Sequence, residues 1–408
     1  MTFMKKQKHS LFRTTDGNDY FWPFVLVTTL FFLWGFAHSI LDVLNKHFQE
    51  TMHIGKTESA LVQAVVYGGY FLMALPAGQV IKRFGYRMGV IAGLLLYGVG
   101  ALLFIPGGQL LSFPFFLFSL FIIGCGLTCL ETAANPYVTV LGNEEGAARR
   151  INLSQSFNGL GWIVGPLVGG QFAFAAGSNQ SSIAIPYAVI GIVVLCVALI
   201  FVRVKLPEVA ETTDAPTDAS KSQTSLWQHR NFVFGLFALF MYVAAQTGIN
   251  SFFINYVTEN ASISNVNASL LLGFGGMGLF MLGRMGGSWL MSRIAAERVL
   301  LYCAIGAALA MAVLLTGAGT LGIIAFLVCY LCESIMFPTI FALSLHGVGV
   351  HTKLASSFLI MSIVGGAIAP VLMGLIADNV SMALAFSVPL VCFIVIAAYA
   401  AKVHLFFC

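Results

Sequence analysis

The sequence predicts an all-α polytopic membrane protein with twelve transmembrane helices in two six-helix pseudo-repeats. Composition, a count of apolar runs, and motifs that recur at half the chain length carry that prediction. Of 408 residues, 59% are hydrophobic and 9% charged, against roughly 25% charged in an average soluble domain. A mean hydropathy of +0.91 fits a chain whose solvent is mostly lipid, and excludes a water-soluble globule. A net charge of +4 over this length gives no basic stripe and excludes a nucleic-acid binder.

The N-terminus carries Lys5, Lys6, Lys8 and Arg13 ahead of a long apolar run that starts near Tyr20. No small-residue cleavage site follows, so residues 1–20 read as a retained cytoplasmic tail. A crossing helix needs about 20 apolar residues. Gly, Pro and charged breaks divide the chain into spans at 21–48, 58–80, 88–106, 114–141, 151–174, 184–203, 231–257, 267–289, 299–317, 320–345, 355–377 and 381–401. Residues 204–230 are polar and rich in Ala, Thr, Ser, Asp and Pro, the composition of a linker. The organisation is therefore a six-helix half over 21–203, a cytoplasmic linker over 204–230 and a second six-helix half over 231–408. With the N-terminus inside, 17 of the 20 Lys and Arg residues fall in cytoplasmic segments. The positive-inside rule then places both termini in the cytoplasm of a bacterial inner membrane.

Seven of the eight cysteines lie in apolar runs, which draws no disulfide framework. Cys329 and Cys332 spell CxxC, but a lipid-buried helix offers a thiolate no stabilisation, so no redox role is read there. No metal-ligand spacing, phosphate-binding glycine loop or nucleophile constellation is present. The chain reads as a non-enzyme, with no cofactor and no metal.

Motifs recur at one offset, as in repeat-built transporters. Glu131-x4-Pro136 in span four returns as Glu333-x4-Pro338 in span ten, 202 residues on. Gly161-x3-Gly165-Pro166-x3-Gly170 returns as Gly365-x3-Ala369-Pro370-x3-Gly374 at an offset of 204. FAHSILDVLN in span one overlies VAAQTGINSF in span seven at an offset of 208, pairing His38 with Gln246 and Asp42 with Asn250. The turn after span two, with Gly78, Arg83 and Arg87, has a counterpart after span eight in Gly287, Arg293 and Arg298.

Twelve spans in two repeats with Gly/Arg turns after spans two and eight resemble the major facilitator superfamily over nearly the whole chain. LFFLWGFAHSILD, GCGLTCLETAANPYVTVLG, INLSQSFNGLG and PTIFALSLHGVG resemble, more narrowly, the L-fucose:proton symporter family. That resemblance implies the major facilitator fold and import of a neutral monosaccharide with protons by alternating access. L-Fucose is the first choice, followed by glucose, galactose or N-acetylglucosamine. It also implies that the span-one acid and the span-four acid, Asp42 and Glu131, are the proton-linked pair. The chain departs from the family pattern at Leu41, where Asn is common beside the acid, and at His38-Ser39, which replaces a more amide-rich pair. The departure bears on which sugar is carried more than on proton coupling.

The residues support a polar site on their own terms. A charge at the bilayer centre costs at least ~3 kcal/mol, so each intramembrane ionisable group needs a reason. Glu131 lies near the middle of span four with Asn135 one turn on, and Pro136 removes a helical hydrogen bond there. No Lys or Arg is read at comparable depth, so the alternative of a structural carboxyl is the weaker one. His38 sits one turn before Asp42 and reads equally as a ligand or a packing histidine. For Glu333 three roles stay open: a second proton site, an acceptor for a sugar hydroxyl, or a structural acid.

Amides and carboxylates that bond vicinal hydroxyls, with aromatics to cover a ring face, suit a sugar. Gln63 with Tyr67 and Tyr70, Gln155 with Asn158, and Gln246 with Asn250 sit at helix-face spacings. The substrate set is therefore His38, Gln63, Tyr67, Asn135, Gln155, Asn158, Gln246, Asn250 and Glu333. Arg83, Arg87, Pro136, Arg284 and Arg293 are the gating set, with Arg284 placed close to the inner surface. The expected partners are a monosaccharide, protons and the lipid bilayer, for a protein that is monomeric. Two rivals remain. The glycine-rich GWIVGPLVGG of span five resembles an antiporter motif, which favours a proton-driven drug or metabolite antiporter. A transport-dead sugar sensor is the other.

Overall fold

The computed structural model describes residue 12 and residues 19–142, 147–174, 184–204, 226–291, 293–348 and 352–403. Most of the expected tail and residues 205–225 of the expected linker lie outside the described residues. In the first part of the chain the helices are α1 (Phe21–Met52), α2 (Lys56–Ser59), α3 (Leu61–Leu102), α4 (Phe104–Leu110), α5 (Phe113–Val140), α6 (Ala147–Phe174) and α7 (Ala184–Arg203). After the linker come α8 (Arg230–Ala261), α9 (Asn265–Leu270), a π-helical stretch Leu271–Met277, α10 (Gly278–Met291), α11 (Ala296–Leu314), α12 (Gly319–Glu333), α13 (Met336–Leu345), α14 (Thr352–Met361), α15 (Gly365–Asn379), α16 (Met382–Ala385) and α17 (Ser387–Lys402). Ten helical stretches among the described residues are long and apolar enough to cross a membrane. Their outer surface is apolar, with Leu72, Leu199, Leu309 and Ile394 among the exposed side chains.

The stretch Lys56–Leu110 covers 55 residues. As one straight helix it would run ~80 Å at 1.5 Å per residue, against a hydrocarbon core of about 30 Å. Gly85, at φ 83 and ψ 170, interrupts it. A residue without Cβ adopts positive φ without penalty, and the chain doubles back there. A Cβ added at Gly89 would sit 2.6 Å from Ile81 Cγ1, a contact that eight residues of straight helix would forbid. The turn expected after span two is thus a single glycine kink. The expected span 267–289 is likewise not regular, because the glycine-rich LLGFGGM forms the π-helical stretch.

Packing is heaviest between α3 and its neighbours α5 and α7, between α1 and α6, between α11 and both α12 and α17, and around α8, which α13, α15 and α17 flank. Small residues set these approaches. A Cβ at Gly161 of α6 would lie 2.4 Å from the Phe32 carbonyl of α1. A Cβ at Gly365 of α15 would lie 2.4 Å from the Phe240 carbonyl of α8. The two parts of the chain meet where α15 lies against α2 and α3, α1 against α8, and α6 against α9 and the π-helical stretch.

Candidate functional site

Every singled-out polar residue on α1, α3 and α5 lies in an apolar helix, so its neighbours must satisfy it. On α1, His38 and Asp42 are one turn apart and both buried. On α3, Gln63, Tyr67 and Tyr70 follow at i, i+4 and i+7, the spacing of one helix face. The two faces meet. Gln63 Nε2 donates to Asp42 Oδ1 at 3.0 Å, and the other carboxyl oxygen, Oδ2, is buried without a hydrogen-bond partner among the described residues. His38 Nε2 and the Tyr70 hydroxyl are 2.9 Å apart, and Tyr70 also lies within electrostatic range of the Glu131 carboxyl. One phenol, Tyr70, therefore stands next to both His38 and Glu131, while Tyr67 lies within electrostatic range of both Asp42 and Glu131.

Aromatic rings close the group. Trp162 of α6 lies nearly parallel to the His38 imidazole, at 14° and 5.9 Å between centroids, and Tyr67 and Tyr70 flank the same ring at 5.9 and 5.4 Å. Sequence reading missed Trp162. Its position four residues after Asn158 and seven after Gln155 puts it on their helix face, which was the available signal. Gln155 Nε2 reaches Asn135 Oδ1 at 3.4 Å and joins α6 to α5 beside Glu131. Asn158 is turned elsewhere: its Nδ2 donates to the Phe31 carbonyl at 3.1 Å, against Gly35, where a Cβ would strike the Asn158 backbone. In this conformation Asn158 holds α6 to α1.

The second part of the chain supplies the opposite wall. Thr247, absent from the sequence-derived set, donates to the Tyr67 hydroxyl at 3.4 Å, and the Tyr67 ring lies over Gly366, where a Cβ would fall 2.9 Å from it. Gln246 is half-buried. Asn250 is buried, and its Oδ1 has no hydrogen-bond partner among the described residues. Glu333 is fully buried.

Arg284, in α10, is half-buried, with Nε 3.4 Å from the Ser334 carbonyl and its guanidinium 4.9 Å from the Phe280 ring centroid. The local chemistry explains the placement: Pro338 has no N–H for the Ser334 carbonyl four residues back, so α12 ends at Glu333, α13 begins at Met336, and Arg284 takes the carbonyl.

Comparison with known proteins decides the family. The model of the major facilitator superfamily matches residues 26–362. The chain belongs to the major facilitator superfamily. Among curated relatives, the glucose/galactose transporter of Brucella abortus biovar 1 (strain 9-941) is 36% identical over 95% of each chain. The L-fucose-proton symporter of Escherichia coli (strain K12) is 37% identical over 94% of each. A crystal structure of the major facilitator transporter FucP in the outward conformation superposes at a TM-score of 0.68 with 35% identity, covering 94% of this chain and 99% of that one. The chain is a membrane transporter, as its relatives are, and not an enzyme.

Within this major facilitator protein the remaining arginines sit away from the cluster. Arg83 and Arg293 are exposed and lie over Phe84 and Trp289, at 5.2 and 4.3 Å from the ring centroids. Arg87 donates to the Phe201 carbonyl at 3.0 Å and to that of Val202, so it ties the turn after the first part of α3 to the last turn of α7. Pro136 lies inside α5, one turn beyond Glu131.

Proposed function

We propose that the protein is a proton-coupled symporter that imports a neutral monosaccharide by alternating access. The observation that carries the reading is the buried pairing of acids with sugar-type ligands. Asp42 and Glu131 face His38, Gln63, Tyr67, Tyr70, Asn135, Gln155 and Trp162, and no ion pair joins either acid to a cation among the described residues. An unpaired carboxylate at such a site is costly, so a proton is the economical neutraliser. The names of the relatives, a glucose/galactose transporter and an L-fucose-proton symporter, narrow the cargo to L-fucose, glucose or galactose.

Twelve crossings in two six-helix repeats are supported by the helix lengths: the Gly85 kink divides one 55-residue stretch, and α6 adds a 28-residue helix to the ten stretches. The matched approaches of Gly161 to Phe32 and of Gly365 to Phe240, at offsets of 204 and 208, support the repeat. The basic residues favour cytoplasmic termini in a bacterial inner membrane, with residues 204–230 as the cytoplasmic linker and the protein as a monomer.

In that orientation, the hydrogen bonds that join the two halves among the described residues run from Tyr67–Thr247 outward. They continue through Asn45 to the Ser251 carbonyl at 2.6 Å, Gln49–Asn255 at 2.5 Å and Glu50–Asn265 at 2.7 Å. They end at Lys56–Glu259, 2.8 Å, and at the Asp378 carboxylate, which accepts from Lys56 and Thr57. The conformation is closed to the outside. Protonation of Glu131, linked to Asp42, would neutralise the site and let the halves rock around the loaded sugar; deprotonation toward the cytoplasm would favour release. Gln246 and Asn250 would meet the sugar from the second half.

The test is uptake of labelled L-fucose, glucose and galactose by proteoliposomes with and without an inward proton gradient. Gradient-driven accumulation of one sugar supports symport. Sugar-independent proton-driven efflux of another solute would instead favour antiport, and binding without counterflow a sensor.

A further inference from the structure

Glu333 is fully buried, and neither of its carboxyl oxygens meets a hydrogen-bond partner among the described residues. A buried charge without a donor is among the most expensive arrangements a protein can hold. The protonated acid carries no charge and loses far less.

The groups around it are known. Tyr242 of α8 donates its hydroxyl to the Glu333 backbone carbonyl at 3.0 Å and lies within electrostatic range of the carboxyl. Cys329, Tyr330 and Cys332 of α12 lie within the same range. Cys303 of α11 lies within electrostatic range of Cys332. Arg284 of α10 is the one cation beside them among the described residues, and it is engaged with the next carbonyl along, Ser334, at 3.4 Å and with the Phe280 ring.

The acid also stands where the backbone can change. It is the last residue of α12, before the Ser334–Ile335 break that Pro338 imposes, and the carbonyl of the very next residue, Ser334, is the one that Arg284 holds. The Tyr330 hydroxyl, without a hydrogen-bond partner among the described residues, lies within electrostatic range of both Glu333 and Asp42.

We propose that Glu333 carries a second proton of the transport cycle, held in the outward-closed conformation and exchanged for the Arg284 guanidinium when the α12–α13 break rearranges. The step balances: the carboxyl O–H bond breaks, its proton passes to cytoplasmic water, and the carboxylate accepts hydrogen bonds from Arg284, which leaves the Ser334 carbonyl. Reprotonation from outside reverses it. The proposal rests on the symport reading above.

Two measurements test it. In the infrared spectrum of the purified protein at neutral pH, Glu333→Gln is expected to remove one deuterium-sensitive band of a protonated carboxyl; a spectrum that loses none overturns the proposal. In proteoliposomes loaded with a pH dye, the ratio of protons to labelled L-fucose or D-galactose taken up is expected to fall from two in the wild type to one in Glu333→Gln. An unchanged ratio overturns it. Because the ratio is read per sugar, a slower variant still reports. Wild-type protein that moves neither sugar with protons would sink the symport reading itself, a result distinct from coupled uptake whose ratio ignores Glu333.

Discussion

Asp378 caps Thr57 across the molecule. Its carboxylate, near the end of α15, accepts from the Thr57 N–H at 2.8 Å, the Thr57 hydroxyl at 2.7 Å and the Lys56 N–H at 2.9 Å. The N-cap residue of α2 is Gly55, which has no side chain to do this itself. Gly55 and Gly374 make room: a Cβ on Gly55 would lie 3.0 Å from the carboxylate, and one on Gly374 2.6 Å from Thr57 Cα. The cap comes from the other half of the chain, so it exists only while the halves touch at this end. Asp378→Ala should therefore favour the outward-open state. Hydrogen bonds to an exposed charge are worth about 1 kcal/mol net, a population change of about fivefold. Spin labels at Glu58→Cys and Asn379→Cys, with native cysteines replaced, should show that growth in the longer distance; an unaltered distribution would remove Asp378 from the latch.

The neighbouring ion pair should matter less. Lys56 and Glu259 are 2.8 Å apart but 19% and 37% exposed at their side chains, and exposed pairs contribute roughly 0–1 kcal/mol. Glu259→Gln is expected to move the same distance distribution less than twofold, an effect that disappears at ~1 M salt, where the Debye length is about 3 Å. A larger, salt-independent shift would mean that Glu259 acts through another contact.

Glu131 and Asp42 should separate driven uptake from exchange. Glu131→Gln fixes the site in its neutral form, so accumulation against a gradient is expected to be lost while sugar counterflow at equal pH persists. Asp42→Asn should impair net uptake in the same way and leave the amide of Gln63 facing a neutral partner. The measurement is accumulation and counterflow in one proteoliposome preparation. Full accumulation by Glu131→Gln would remove its proton role.

Trp162 offers a flat face beside His38, which suits the apolar side of a sugar ring. Trp162→Leu keeps apolar bulk but loses the plane and is expected to raise the KM for the transported sugar about tenfold, roughly 1.4 kcal/mol of lost stacking, with Trp162→Phe in between. Proton coupling at saturating sugar should survive. An unchanged KM would leave Trp162 as packing for His38 alone.

Periodicity and composition made the helices legible: the expected span 184–203 is the helix Ala184–Arg203, because an unbroken apolar run has one structural solution in lipid. Tertiary partners were less legible. Asp42 and Gln63 are 21 residues apart on different helices, and nothing in one sequence states which faces meet. The break after Glu333 was written as Pro338, but whether a proline kinks or ends a helix depends on who takes the released carbonyl. Here Arg284 of α10 takes it. Asn158 shows the same limit, since an amide at a cavity-facing spacing can instead satisfy a backbone carbonyl on the adjacent helix.

Gly161 and Gly365 test the repeat energetically. Each approaches the backbone of its partner helix, Gly161 at the Phe32 carbonyl and the Phe36 nitrogen, Gly365 at the Phe240 carbonyl and the Ala244 nitrogen. Backbone cannot rotate aside as a side chain can, so a methyl group at either position must push the helices apart. Overpacking of this kind costs about 1–3 kcal/mol. Gly161→Ala and Gly365→Ala are each expected to lower the Tm of the detergent-solubilised protein by several degrees and to slow transport. Gly159→Ala is the contrast, because its Cβ would meet only the flexible Met281 side chain at 3.5 Å, and its Tm should stay within a degree or so of wild type. If Gly161→Ala were as stable as Gly159→Ala, the α1–α6 contact would have slack that the geometry denies. If Gly365→Ala alone were tolerated, the two halves would not bear the same constraint at this position.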